Sequence, residues 1–309
     1  MKTILITGGA GFIGSHLCEF FLEKKFNVIC VDNFVTGTKK NIEPFLKNPL
    51  FQCITHDLKQ PLSLTTSIEY ILHFACPASP IDYQKIPLET LHVCSLGTIN
   101  MLELAKQKNA VFLLASTSEV YGDPAISPQP ESYWGNVNPN GVRSCYDEGK
   151  RYAEAETMAF HRVHKLNTKI VRIFNTYGSR MRKNDGRVIP AFISQALENK
   201  PLTIFGNGNQ TRSFCYIDDL IQGIYAVLMS DTHDPINLGN PHEFTMKDLA
   251  EKILTITGSK STLTFCPLPE DDPKQRKPDI TKAKTLLYWE PTIQLSEGLQ
   301  KTIEWFKEN

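Results

Sequence analysis

Residues 3–14 read TILITGGAGFIG, and this stretch decides the fold. A short run of strand-forming residues leads straight into Gly8, Gly11 and Gly14. That glycine spacing lets a chain turn tightly, admits a phosphate close to the backbone and starts a helix hard against the strand. An apolar stretch this near Met1 also resembles the opening of an export signal, but Thr7, Gly8 and Gly9 interrupt it at once, so it reads as a buried strand. A second strand over 27–31 ends at Asp32, eighteen residues beyond Gly14. A carboxylate at that place accepts hydrogen bonds from ribose hydroxyls and repels a 2′-phosphate, which favours NAD over NADP.

Outward from this unit, apolar runs at 51–55, 70–74, 111–116 and 169–173 alternate with segments of helical period at 12–24, 88–108 and 146–165. Such alternation predicts an α/β fold, a doubly wound, Rossmann-like parallel sheet covered by helices on both faces. After Ile173 the alternation loosens into loops rich in Gly, Asn and Pro, then resumes as helices at 189–199, 218–229 and 246–257. The change marks a smaller, interleaved C-terminal substrate lobe. The expected division assigns 1–175, joined by 212–240, to the NAD-binding domain, and 176–211 with 241–309 to the nucleotide-sugar lobe.

Composition narrows the partners. The 309 residues carry 33 Lys and Arg against 33 Asp and Glu, so no overall field draws the chain to nucleic acid or an anionic membrane. No stretch approaches the roughly 20 apolar residues of a spanning helix. The eight cysteines show neither a C-x-x-C pair nor a His partner at zinc spacing, so they read as reduced thiols of a cytoplasmic protein and predict no metal site.

The string SCYDEGKR at 144–151 sets Tyr146 and Lys150 four apart, on one helical face. A free phenol titrates near ~10, and a neighbouring ammonium stabilises its phenolate. Tyr146 can then take a proton from a sugar hydroxyl while hydride leaves the same carbon. Alone, this spacing is commonplace on a solvated helix; behind a dinucleotide-binding turn it is the expected hydride-transfer pair. Ser116, Thr117 and Ser118 end the preceding strand and offer a hydroxyl to share the proton.

Together, GGAGFIG, Tyr146 and Lys150 resemble the extended short-chain dehydrogenase/reductases. A collinear set of longer strings is similar to the UDP-glucuronate decarboxylases: FACPASPIDY at 74–83, STSEVYGDP at 116–124, YWGNVNPNGVRSCYDEGKR at 133–151, RIFNTYG at 172–178, NDGRV at 184–188, GNGNQTRSF at 206–214 and DDPKQRKPDI at 271–280. The resemblance implies NAD-dependent conversion of UDP-glucuronate to UDP-xylose and carbon dioxide through a 4-keto sugar, in a homodimer packed through helices. It implies that Gly8, Gly11, Phe12, Ile13, Gly14, Asp32, Asn33, Asp57, Ala75, Tyr146 and Lys150 surround the cofactor. Thr117 would be the triad hydroxyl, and Ser118, Glu119 and Arg276 the groups particular to decarboxylation. Tyr83, Asn175, Arg212 and Arg276 would contact the nucleotide sugar. The resemblance departs at Cys94, where such proteins carry Asn.

Neighbouring chemistries are set apart by the same strings. Ser118 stands where a 4,6-dehydratase carries an acidic Asp, and a 4-epimerase is not expected to carry both RSCYDEGKR and DDPKQRKPD. An oxidative decarboxylase that releases UDP-4-keto-pentose and NADH is the nearer rival. A non-enzymatic nucleotide-sugar-binding module would be expected to lose Tyr146 or Lys150, and this chain keeps both.

Overall fold

β1 (Thr3–Thr7) is buried at all five positions, as a central strand must be when helices cover both faces of a sheet. The computed structural model describes residues 1–268 and 275–309, so 271–274 of the DDPKQRKPDI string lie outside the described residues. Following β1 come α1 (Phe12–Glu23), β2 (Asn27–Asp32), β3 (Phe51–Thr55), β4 (Tyr70–His73), α2 (Pro80–Lys85), α3 (Pro87–His92), α4 (Thr98–Lys108), β5 (Val111–Thr117), α5 (Ser144–His164) and β6 (Thr168–Ile173). The second half adds β7 (Thr176–Tyr177), α6 (Val188–Leu197), β8 (Leu202–Phe205), β9 (Thr211–Ser213), β10 (Cys215–Tyr216), α7 (Ile217–Met229) and β11 (Ile236–Leu238). It closes with β12 (Glu243–Thr245), α8 (Met246–Thr257), β13 (Leu263–Cys266), α9 (Thr281–Leu287) and α10 (Leu295–Glu308).

Seven parallel strands pair in the order β11-β6-β5-β4-β1-β2-β3. The period of two sends neighbouring side chains to opposite faces, and the packing records it. Ile4 and Ile6 join Leu17 and Phe21 of α1 in one core, while Leu5 and Ile29 join Met101 and Leu102 of α4 in another. The first core continues into the C-terminal lobe through Phe192, Leu249 and Ile303. Strand order reverses between β1 and β4, which opens a crevice at their carboxyl ends.

Two elements differ from their expected form. The segment 88–108, expected as one helix, is broken into α3 and α4 by a π turn at Val93–Gly97. A π turn holds one more residue than an α turn, and hydrophobic periodicity does not register the insertion. The seventh strand, β11, is only Ile-Asn-Leu, too short to show alternation, and it is recruited by pairing with β6. Among the described residues no helix is long and apolar enough to cross a membrane.

Candidate active site

The carboxyl ends of β1 to β6 surround a cavity of about 870 Å³. At its first turn, Gly8, Gly11, Phe12, Ile13 and Gly14 form the wall; Asp32 ends β2, Asn33 follows it, and Asp57 follows β3. Ala75 and Tyr83 come after β4, Thr117, Ser118 and Glu119 from the end of β5, and Tyr146 and Lys150 from α5. Asn175 after β6, Arg212 on β9 and Arg276 complete the lining. The structure therefore brings every candidate catalytic, cofactor-contacting and sugar-contacting residue to one cavity.

The glycine turn is built for close approach. A Cβ on Gly14 would stand 2.0 Å from the carbonyl oxygen of Gly8, so strand and helix pack at a distance no side chain tolerates. Gly8 adopts φ +68°, and its added Cβ would lie 2.9 Å from the backbone of Ala75. Asp32 fixes the rim: its carboxylate accepts from Ala10 N at 2.9 Å and Phe34 N at 2.8 Å. Burial pushes this carboxyl up, and those backbone donors oppose the shift. Asp57 is tied to the backbone and ammonium of Lys59 at 3.0 and 3.2 Å. Bare backbone, the start of α1 and a carboxylate at the end of β2 together fit a dinucleotide.

Around Tyr146 the three hydroxyls of the β5 end separate by partner. Ser116 donates to Glu154 at 2.5 Å, in the network where Arg172 grips Glu154 through two nitrogens at 2.9 and 2.8 Å. That leaves Thr117, whose side chain hydrogen-bonds Tyr146, while Ser118 presents its carbonyl to Arg276 at 2.7 Å. Lys150 donates to Ala115 O at 2.9 Å, and its ammonium stands 5.8 Å from the centre of the Tyr146 ring. Tyr83 stacks flat on Tyr146 at 5.0 Å, with its hydroxyl buried and unpaired. Burial pushes the Tyr146 phenol well above its ordinary range, with the Thr117 hydrogen bond pulling the other way. Desolvation is the largest influence on this phenol, so any stabilisation of its phenolate by the Lys150 ammonium works against burial.

Beside this pair sits a buried Arg-Glu-Arg cluster. Glu119 accepts from Arg143 at 2.6 Å and from Arg276 at 3.0 Å. Burial alone would raise its carboxyl, but Arg276 and then Arg143 reverse the effect and hold it below the usual range. Arg276, 2% exposed, therefore gives its guanidinium to Glu119 and Ser118.

These features fit the comparisons with known proteins. A family model described as GDP-mannose 4,6 dehydratase matches residues 5–302. UDP-glucuronic acid decarboxylase 5 of Arabidopsis thaliana is 52% identical, over 98% of this chain and 89% of its own length. UDP-glucuronic acid decarboxylase 1 of Danio rerio is 50% identical, over 99% and 72%. The chain belongs to the UDP-glucuronic acid decarboxylase family, within the extended short-chain dehydrogenase/reductases. A crystal structure of UDP-glucuronic acid 4-epimerase from Bacillus cereus, in complex with UDP-glucuronic acid and NAD, superposes with a TM-score of 0.88, at 32% identity and 99% of each chain.

The cavity of this decarboxylase-family chain also holds two arginines that sequence spacing does not point to. Arg143 is one, held against Glu119. Arg187, in the NDGRV string, is the other; it pairs with Asp185 through Nη2 at 2.8 Å, and Tyr146 is among the groups acting on its charge. Their presence inside matched strings was the only available signal.

Proposed function

We propose that this chain decarboxylates UDP-glucuronate to UDP-xylose and carbon dioxide with NAD restored in every cycle. The observation that carries the reading is Tyr146, with Lys150 and Thr117, set in the same cavity as the Glu119-Arg143-Arg276 cluster. When bound, NAD supplies the hydride acceptor for C4 of the sugar and, when oxidised, a positive charge. Gly8, Gly11, Phe12, Ile13, Gly14, Asp32, Asn33, Asp57 and Ala75 would hold it.

Tyr146 Oη takes the C4 hydroxyl proton, with Thr117 steadying the phenolate. Because burial opposes that phenolate, Tyr146 ionises when positive charge is brought into the cavity. Lys150, anchored on Ala115 O, holds its ammonium beside the ring. Oxidation at C4 places the sugar carboxylate β to a ketone, and Tyr83, Asn175 and Arg212 orient the sugar nucleotide so that this carboxylate leaves. Glu119 stays ionised, so it acts by accepting a hydrogen bond from the donor that protonates C5. Ser118 and Arg276 fix Glu119 in place. Tyr146 then returns its proton to the C4 oxygen.

Substrate deuterated at C4 tests the closed cycle. The deuterium should reappear at C4 of UDP-xylose; loss of the label, or its accumulation on free reduced nicotinamide, would support the oxidative rival.

We also propose the two-lobe division given above, supported by the return of β11 to the large sheet beside β6. A homodimer is supported by exposed Leu88, Leu91 and Leu96 on the broken helix, with Tyr152 and Val163 exposed on α5. A cytoplasmic setting agrees with eight free thiols.

A further inference from the structure

We infer that Cys76 and Cys94 form a reversible thiol-disulfide site in the wall of the cavity, closed by a peroxide and reopened by a thiol reductant. Their sulfurs lie 3.3 Å apart, and both are free. A disulfide requires ~2.05 Å, a short movement for two side chains already in contact. Cys76 lines the cavity, so a molecule the size of hydrogen peroxide reaches the pair from that side. Cys18 and Cys30 offer a contrast, being fully buried beneath Gly9.

Burial pushes the Cys76 thiol well above its usual range, so Cys94 is the more readily ionised of the two. The Cys76 thiol hydrogen-bonds Cys94 and, with the positive charge of Lys150, holds the Cys94 thiol below its usual range against the effect of burial. One sulfur attacks peroxide, giving a sulfenic acid and one water. The second sulfur attacks the sulfenic acid and expels the second water. Two electrons pass from the thiols to peroxide, and both thiol hydrogens end in water.

Closure has a mechanical consequence at two places. Cys94 sits in the π turn and packs on α5: a Cβ on Gly149 would stand 3.1 Å from Cys94 Cβ. Gly149 precedes Lys150. On the other side, Ala75 precedes Cys76 and lies against the turn glycine Gly8. Drawing the sulfurs together shifts both supports, so oxidation should impair nucleotide binding as well as turnover.

The test uses the purified holoenzyme and a modest excess of hydrogen peroxide. Thiols left over are alkylated, and the peptides are mapped without reduction. A Cys76-Cys94 linked peptide should form as activity and NAD binding, read by fluorescence titration, fall in proportion, and dithiothreitol should restore all three. Saturating NAD with UDP-xylose should slow the linkage by filling the cavity. Cys94→Ser should form no link and keep its own starting activity through the same treatment, with Cys94→Ala as a second variant should the first fold poorly. Oxidation at other cysteines without this link, a link that leaves NAD binding and activity unchanged, or equal inactivation of the variants would overturn the inference. Because the peptide map and NAD binding are read without turnover, they stand apart from the decarboxylase reading.

Discussion

In the proposed reaction Tyr146 carries the heaviest demand of any single side chain, since it would have to lose a proton in a site where burial holds that proton on. Tyr146→Phe removes the base and should lower turnover by ~10² to 10⁴. Near-ultraviolet absorbance should show the nicotinamide staying oxidised when UDP-glucuronate is added; a build-up of reduced cofactor would assign the base elsewhere. Arg276 makes a different case, because its guanidinium is spent on Glu119 and Ser118 and not on Tyr146. Arg276→Ala leaves a buried carboxylate with Arg143 as its remaining partner and lowers stability. Oxidation should still occur, so a single turnover should stall with reduced nicotinamide; an oxidised signal at saturating substrate would move Arg276 to sugar orientation. Asp147 adds a pH signature. Burial, then the charge of Glu119, raises its carboxyl to about 7. A raised folded-state value means that stability present below the unfolded value of ~3.9 is lost as pH rises through about 7. The melting temperature of Asp147→Asn should therefore gain on the parent between about pH 4 and 7 and hold that gain above. At this scale Tyr146 and Lys150 were legible because a helix brings positions four apart together. Arg143 was not, since its partner Glu119 is 24 residues away and the pairing arises from tertiary folding.

Among the elements, the β1 turn and the end of β2 define the cofactor side. Gly14→Ala places a methyl 2.0 Å from Gly8 O, so it should abolish NAD retention and lower the melting temperature together. A variant that binds NAD as the parent does would refute the packing role given to Gly14. Asp32 should hold NAD in preference to NADP, as measured by paired titrations; equal affinities would mean that its carboxylate, already accepting from Ala10 and Phe34, does not meet the ribose. Strands β1 to β6, with α1 and α5, could be read from their apolar periods because each is long enough to show one, whereas α2, six residues at Pro80–Lys85, is not. β11 could not, having three residues, and the π turn was hidden because Val93 to Gly97 are mostly apolar whichever turn they adopt.

In the whole molecule, one continuous cavity gathers residues from 8 to 276, which is why collinear strings spread along the chain were informative before any geometry was known. The exposed leucines at 88, 91 and 96 bear on the homodimer proposed above. Leu91→Glu should shift the sedimentation coefficient from dimer toward monomer; a dimer unchanged by that substitution would place the interface on another face. A decarboxylation that returns its hydride leaves a fixed product balance. Purified protein is incubated with UDP-glucuronate, and carbon dioxide, UDP-xylose and reduced nicotinamide are quantified together. Carbon dioxide and UDP-xylose should appear in equal amounts, with no net reduced nicotinamide and no turnover of UDP-glucose, which has no carboxylate to lose. Carbon dioxide matched by UDP-4-keto-pentose and stoichiometric NADH, or no carbon dioxide even with NAD supplied, would contradict the proposed reaction.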